Sequence, residues 1–128
     1  MKFKIAAAAL AVLGVAFTPT VSLAHPKVVS AKPVANAKAA KTRIVTLTFS
    51  ERLTPTISNA TLVMTGMPGM VDHAPMKMAG VTSKVAPNGK SLVLTSAKPL
   101  TTGTYRVDWA VVGADAHRVT GTHSFSIT

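Results

Sequence analysis

Cysteine is absent from the 128 residues. Its absence excludes disulfides, thiolate metal ligands and an N-terminal lipid anchor. Aromatic residues make up 5% of the chain, with one Trp and one Tyr. Acidic residues number 4 against 14 basic ones, for a formal net charge of +10. The bases are scattered along the chain and are not interleaved with aromatics, so the composition argues against a nucleic-acid interface. A weak attraction to anionic surfaces is all that the dispersed charge implies. Gly-rich phosphate loops and internal repeats are missing. Past the first residues no apolar run is long enough to form a membrane helix. The length allows one domain, whose core must hold it together without covalent staples.

The N-terminus reads as a targeting segment. Lys2 and Lys4 precede an unbroken apolar run from Ile5 to Phe17, and small residues surround a cut site at Ser22-Leu23-Ala24. This is the pattern of a secretory signal peptide over residues 1–24, too short to span a membrane. Cleavage after Ala24 leaves residues 25–128 as an exported domain that begins at His25, with the periplasm as its expected compartment.

The remainder shows β periodicity and no convincing amphipathic helix. Val28-Val29 reads as a short first strand closed by Pro33, and Val34 to Lys41 as a connection. In Arg43–Ser50, Val45, Leu47 and Phe49 share one face and Thr46 and Thr48 the other. Further strands are expected at 60–65, 81–85, 91–95, 104–112 and 120–127, with Pro87-Asn88-Gly89 a turn between two of them. Short strands at this spacing predict an all-β antiparallel sandwich or Greek-key barrel. On the 104–112 strand, Tyr105, Val107, Trp109 and Val111 face the core, and Arg106 and Asp108 form a surface pair. His123 shares a face with Phe125 and Ile127 and reads as a core-side histidine satisfied by a backbone partner. Glu51 reads as a turn carboxylate or a group supporting a site.

Five of the six methionines lie between Met64 and Met78, and the sixth is Met1. A core that uses Met as filler would scatter it. Here the thioethers sit in a segment interrupted by Pro68, Gly69 and Pro75, with His73 among them. Soft sulfurs and one imidazole on broken backbone suit Cu(I). A loop whose methionines pack onto a neighbouring surface is the alternative reading.

A second donor set begins at His25. As the first residue of the mature chain it would offer its α-amine and imidazole Nδ1 to one ion. Pro26 lacks an amide N–H, so no backbone nitrogen at the second position can join them. Asp115 and His117, two apart, would point to one side of extended backbone. Three nitrogens and an oxygen suit tetragonal Cu(II). Taken alone, Asp115-Ala116-His117 fits equally well a carboxylate that orients a surface histidine or caps a turn.

These stretches resemble the CopC family of periplasmic copper-resistance proteins, also called PcoC in related systems. The resemblance rests on His25, Leu47-Thr48-Phe49-Ser50-Glu51, Met64-Thr65-Gly66-Met67-Pro68-Gly69-Met70 and His73-Ala74-Pro75-Met76. It continues through Gly103-Thr104-Tyr105-Arg106-Val107-Asp108-Trp109 and Asp115-Ala116-His117 with Gly121. It implies a seven-stranded Greek-key β-barrel or sandwich, Ig-like and cupredoxin-like in outline, with copper sites at opposite ends. The implied Cu(II) ligands are His25, Asp115 and His117. The implied Cu(I) ligands are Met64, Met67, Met70, His73 and Met76, with Met78 a further thioether. Two residues separate Met70 from His73 where the family has one, and Arg118 stands where the family often has proline.

The resemblance further implies a monomeric copper carrier, not an enzyme, that exchanges copper with a CopD-type inner-membrane protein. One rival is a copper-dependent oxidative enzyme built on the same N-terminal histidine chelate. Another is a structural Ig-like domain with no metal role.

Overall fold

A computed structural model of the chain describes residues 14–18, 25–70 and 73–128. Most of the expected leader, together with Val71 and Asp72 of the methionine stretch, lies outside these residues. The strands are β1 (Val28–Lys32), β2 (Lys38–Ala39), β3 (Ile44–Phe49), β4 (Asn59–Gly66), β5 (Met76–Lys77), β6 (Val81–Val85), β7 (Ser91–Ser96), β8 (Gly103–Val112) and β9 (Arg118–Ile127). A short 3-10 turn, Pro55–Ile57, is the only helical element among the described residues. It begins at Pro55, with Thr54 as the residue before it.

The strands form two sheets. One has the order β1-β3-β7-β6 and the other β2-β9-β8-β4-β5. Alternation accounts for the layering. Val45, Leu47 and Phe49 of β3 are at most 1% exposed, and Leu92 and Leu94 of β7 face the same interior. From the other sheet come Leu62, Tyr105, Val107, Val111, Phe125 and Ile127, each at most 2% exposed. Period-2 burial on strands of both sheets defines a core between two layers. Tyr105 stacks on Phe125 with ring centroids 5.6 Å apart, and its hydroxyl donates to the Thr101 carbonyl at 2.7 Å. A buried phenol thereby keeps its polar end satisfied. His123, 7% exposed, donates from Nε2 to the Pro33 carbonyl at 2.8 Å, as its parity predicts.

The sheets are not closed into a barrel, because β1, β6, β2 and β5 remain edges. The architecture is therefore the sandwich. Two of its strands were not legible in the pattern. Lys38–Ala39 lies in the stretch that reads as a connection, yet it pairs in parallel with Ser126–Ile127. Met76–Lys77 pairs antiparallel with Val63 and Met64. A two-residue strand has no period to display.

β8 sets the long dimension. It runs from Gly103 to Val112 and pairs along its length with β9 on one side and with β4 on the other. Ten extended residues separate the two ends by roughly 30 Å. The methionine hairpin closes one end and the 113–117 loop closes the other.

Candidate metal centres

At the loop end, Val112 pairs with Arg118, so residues 113–117 form the connection between β8 and β9. The loop folds as a turn, in which Ala116 N–H donates to the Gly113 carbonyl at 3.1 Å. Ala116 has a φ of 62°, in the left-handed region. Asp115 and His117 are thus not neighbours on extended backbone, as the spacing suggests. They meet because the turn folds the side chain of Asp115 back over its own loop. Asp115 Oδ1 accepts from the His117 backbone N–H at 3.1 Å, and Oδ2 lies 3.2 Å from His117 Nδ1. This is an Asx-type turn, which a short carboxylate forms readily.

His25 arrives from the far end of the sequence. Its Nδ1 lies 2.8 Å from the same Asp115 Oδ2. The two imidazole rings stand edge to face with centroids 5.5 Å apart. One donor atom from each of His25, Asp115 and His117 falls within 4.8 Å of the others. The carboxylate is 8% exposed, and the histidines are 58% and 73% exposed. A sheltered anion therefore lies beneath two accessible nitrogens. The backbone hydrogen bond from His117 holds the Asp115 carboxyl below the usual carboxylate range. Burial opposes the shift, and the His117 side chain and the charges of both histidines add to it. Such a cluster could take a cation that replaces the protons between these atoms, with solvent on one side. The α-amine of His25 becomes a fourth donor only in a chain that begins there.

At the opposite end the register gathers the methionines. Met64 lies across from Met76 in the β4–β5 ladder. Met67 and Met70 exchange backbone hydrogen bonds of 3.2 and 2.9 Å around Pro68-Gly69, where Gly69 has a φ of 78°. Directly opposed residues put their side chains on one face. Met64 and Met67, three apart, would normally face opposite ways. A bulge intervenes, since Met64 pairs with Tyr105 while Gly66 pairs with Thr104. The extra residue reverses the alternation, so Met67 returns to the inner side. Met64 is 6% exposed, Met67 and Met78 pack against the core, and Met70 and Met76 are 56% and 49% exposed.

His73 joins this end by its chemistry. Its Nδ1 lies 2.7 Å from the Ala74 carbonyl, which can only accept, so Nδ1 carries a proton. Nε2 is buried and has no hydrogen-bond partner among the described residues. A buried unpaired imidazole nitrogen is costly unless something binds it. Backbone bonding at one ring nitrogen is the usual means of aiming the other at a metal. The donor set of thioethers and one imidazole fits Cu(I).

Residues 28–128 match the family model described as the CopC domain. The chain belongs to the CopC family. Copper resistance protein C of Xanthomonas campestris pv. juglandis is 49% identical over 108 residues, covering 83% of this chain and 82% of that protein. Copper resistance protein C of Escherichia coli is 45% identical over 118 residues, with 91% and 89% covered. The crystal structure of Escherichia coli PcoC, described as a methionine-rich copper resistance protein, superposes with a TM-score of 0.75 at 40% identity. It covers 82% of this chain and 100% of that one. CopC from Methylosinus trichosporium OB3b shares the fold at a TM-score of 0.61 and 24% identity, over 80% of this chain and 93% of its own.

His25 precedes the span matched to the CopC domain, so its place rests on the geometry of this chain. In this CopC-family chain Glu51 sits in the bend after β3. Arg106 and Asp108 form the expected pair, with Nε–Oδ1 at 2.6 Å and a second bond of 3.0 Å, which raises the Arg106 pKa further. The sequence reading did not anticipate two contacts beside His25, Lys27 N–H on Ser50 Oγ and Pro26 against Gly113. A serine ending a strand and a glycine following one are too common to stand out.

Proposed function

We propose that the mature protein begins at His25 and carries copper in the periplasm. At the level of the family it is a copper-binding resistance protein and not an enzyme. In our reading Cu(II) is held by the amine and Nδ1 of His25, with Asp115 and His117. Cu(I) is held at the other end by thioethers drawn from Met64, Met67, Met70 and Met76, with His73 Nε2. Met78 is available as a further sulfur.

The observation that carries this reading is the meeting of His25 and His117 Nδ1 on a single Asp115 oxygen, at 2.8 and 3.2 Å. It brings the two ends of the domain's sequence to one nitrogen-rich point. Its donors are hard or borderline, whereas those of the methionine end are soft, so each end favours a different oxidation state. No thiolate is present to lock Cu(I) in place, and half-exposed Met70 and Met76 let an acceptor displace ligands stepwise. A membrane partner of the CopD type and a monomeric carrier complete the proposal. The oxidative rival needs an open coordination position and a substrate-binding face, often with exposed aromatics. Here Tyr105 is 1% exposed and Trp109 packs edge-on against Phe49 at 5.1 Å.

The test is a Cu(II) titration followed by EPR on two proteins, one starting at His25 and one with a single residue added ahead of it. Tight one-to-one binding with a nitrogen-rich tetragonal spectrum in the first alone is expected. Equal binding in both would remove the amine from the ligand set. Weak binding in both would overturn the Cu(II) site.

A further inference from the structure

His25 is 58% exposed and lies ahead of β1, outside any strand, where side chain and backbone would ordinarily fray. In this structure the two residues after it are pinned. Lys27 N–H donates to Ser50 Oγ at 3.1 Å, and Ser50 N–H donates to the Lys27 carbonyl at 2.8 Å. The β1–β3 pairing that begins at Val28 and Phe49 is thereby extended by one more pair. In that pair the serine hydroxyl takes the acceptor role that a main-chain carbonyl fills elsewhere in the ladder. Alanine at this position could not supply an acceptor, and threonine could.

Pro26 lies between the pinned Lys27 and His25, and it is less than 2% exposed. Its ring rests on Gly113, the first residue of the loop that presents Asp115. A Cβ on Gly113 would lie 3.1 Å from both Cδ and Cγ of Pro26 and 3.4 Å from Asp115 Oδ1. The proline ring fixes its own φ and restricts the residue before it to extended conformations. With Lys27 tied to Ser50 and Pro26 seated on Gly113, little beyond the His25 side-chain torsions remains free.

We infer that Ser50 and Gly113 are positioning residues for the N-terminal metal ligand. Ser50 ties down the strand that delivers His25, and Gly113 provides the bare backbone on which Pro26 sits. Neither touches the metal. Both remove the cost of ordering the terminus when the ion binds, so they act on affinity through preorganisation. The inference rests on the proposed Cu(II) site.

The test compares wild type with Ser50→Ala, Ser50→Thr and Gly113→Ala, all beginning at His25. Cu(II) affinity, Cu(I) affinity and metal-free Tm are measured for each, with amide hydrogen exchange at Lys27 in the metal-free proteins. Ser50→Ala is expected to bind Cu(II) roughly five- to tenfold more weakly, the size of one net hydrogen bond. It should also exchange the Lys27 amide faster and leave Cu(I) affinity unchanged. Ser50→Thr should restore both readouts. Gly113→Ala should weaken Cu(II) binding by displacing Pro26 while Lys27 stays protected. Unchanged Cu(II) affinity in Ser50→Ala would overturn the inference, as would an equal loss at both metal sites with lowered Tm. If wild type itself shows no dependence on a free His25, the Cu(II) reading fails first, and the exchange data still report whether the latch exists.

Discussion

At the scale of single residues, Asp115 has the largest set of tasks. It closes a turn, receives two imidazoles and is largely shielded from water. Its carboxyl is held below the usual range in the folded protein. A lowered folded pKa stabilises the protein at pH values above the unfolded value, about 3.9 for Asp. That stability disappears as pH falls through the folded value. In metal-free protein, Asp115→Asn should therefore lower Tm near neutral pH. The gap to wild type should close as the pH is taken below about 4. Thermal melts across that range check this, and a gap independent of pH would mean that the charge of Asp115 contributes nothing to folding. His73 is the counterpart at the other end, one ring nitrogen committed to a carbonyl and the other buried without a partner among the described residues.

At the scale of elements, the bulge at the end of β4 decides what the methionine segment can do. Without the extra residue, Met67 would face outward while Met64 faced in. Gly103 on β8 is part of the same device. A Cβ there would lie 2.6 Å from the Gly66 carbonyl oxygen and 2.9 Å from Met64 Cε. The first clash is with backbone and cannot be relieved by turning a side chain. Gly103→Ala is expected to destabilise the protein by about 1–3 kcal/mol, as overpacking does. It should also weaken Cu(I) binding, because it displaces the bulge and Met64 together. Denaturant unfolding and a Cu(I) competition assay would measure the two effects, with Cu(II) affinity expected to stay at the wild-type value.

At the scale of the whole molecule, the sandwich works as a spacer. β8 and β9 keep the two clusters roughly 30 Å apart, far beyond the range over which substitutions usually couple. His117→Ala should abolish tetragonal Cu(II) binding and leave Cu(I) affinity unaltered. Met67→Ile should do the reverse. In the double variant each site should behave as it does in the corresponding single variant, with any remaining affinity matching to within about 0.5 kcal/mol. Larger coupling would mean that the core transmits a change from one end to the other.

The sequence alone determined the fold class and seven of the strands. Alternation on β3, β8 and β9 is written directly in residue type, and burial on one face is what alternation means physically. It also picked out the candidate donor residues, because five methionines within fifteen positions and a histidine after an expected leader cut site are unusual as composition. The tertiary structure decided how these side chains meet. That Asp115 and His117 meet through a left-handed Ala116, and not along a strand, depends on a turn held by hydrogen bonds. That Met64 and Met67 share a face depends on a bulge defined against β8. The roles of Ser50 and Gly113 depend on a proline from the other end of the domain. Periodicity is local and can be read along the chain. Register, turn closure and long-range contact are relations between segments, and only the packed sheets bring those segments together.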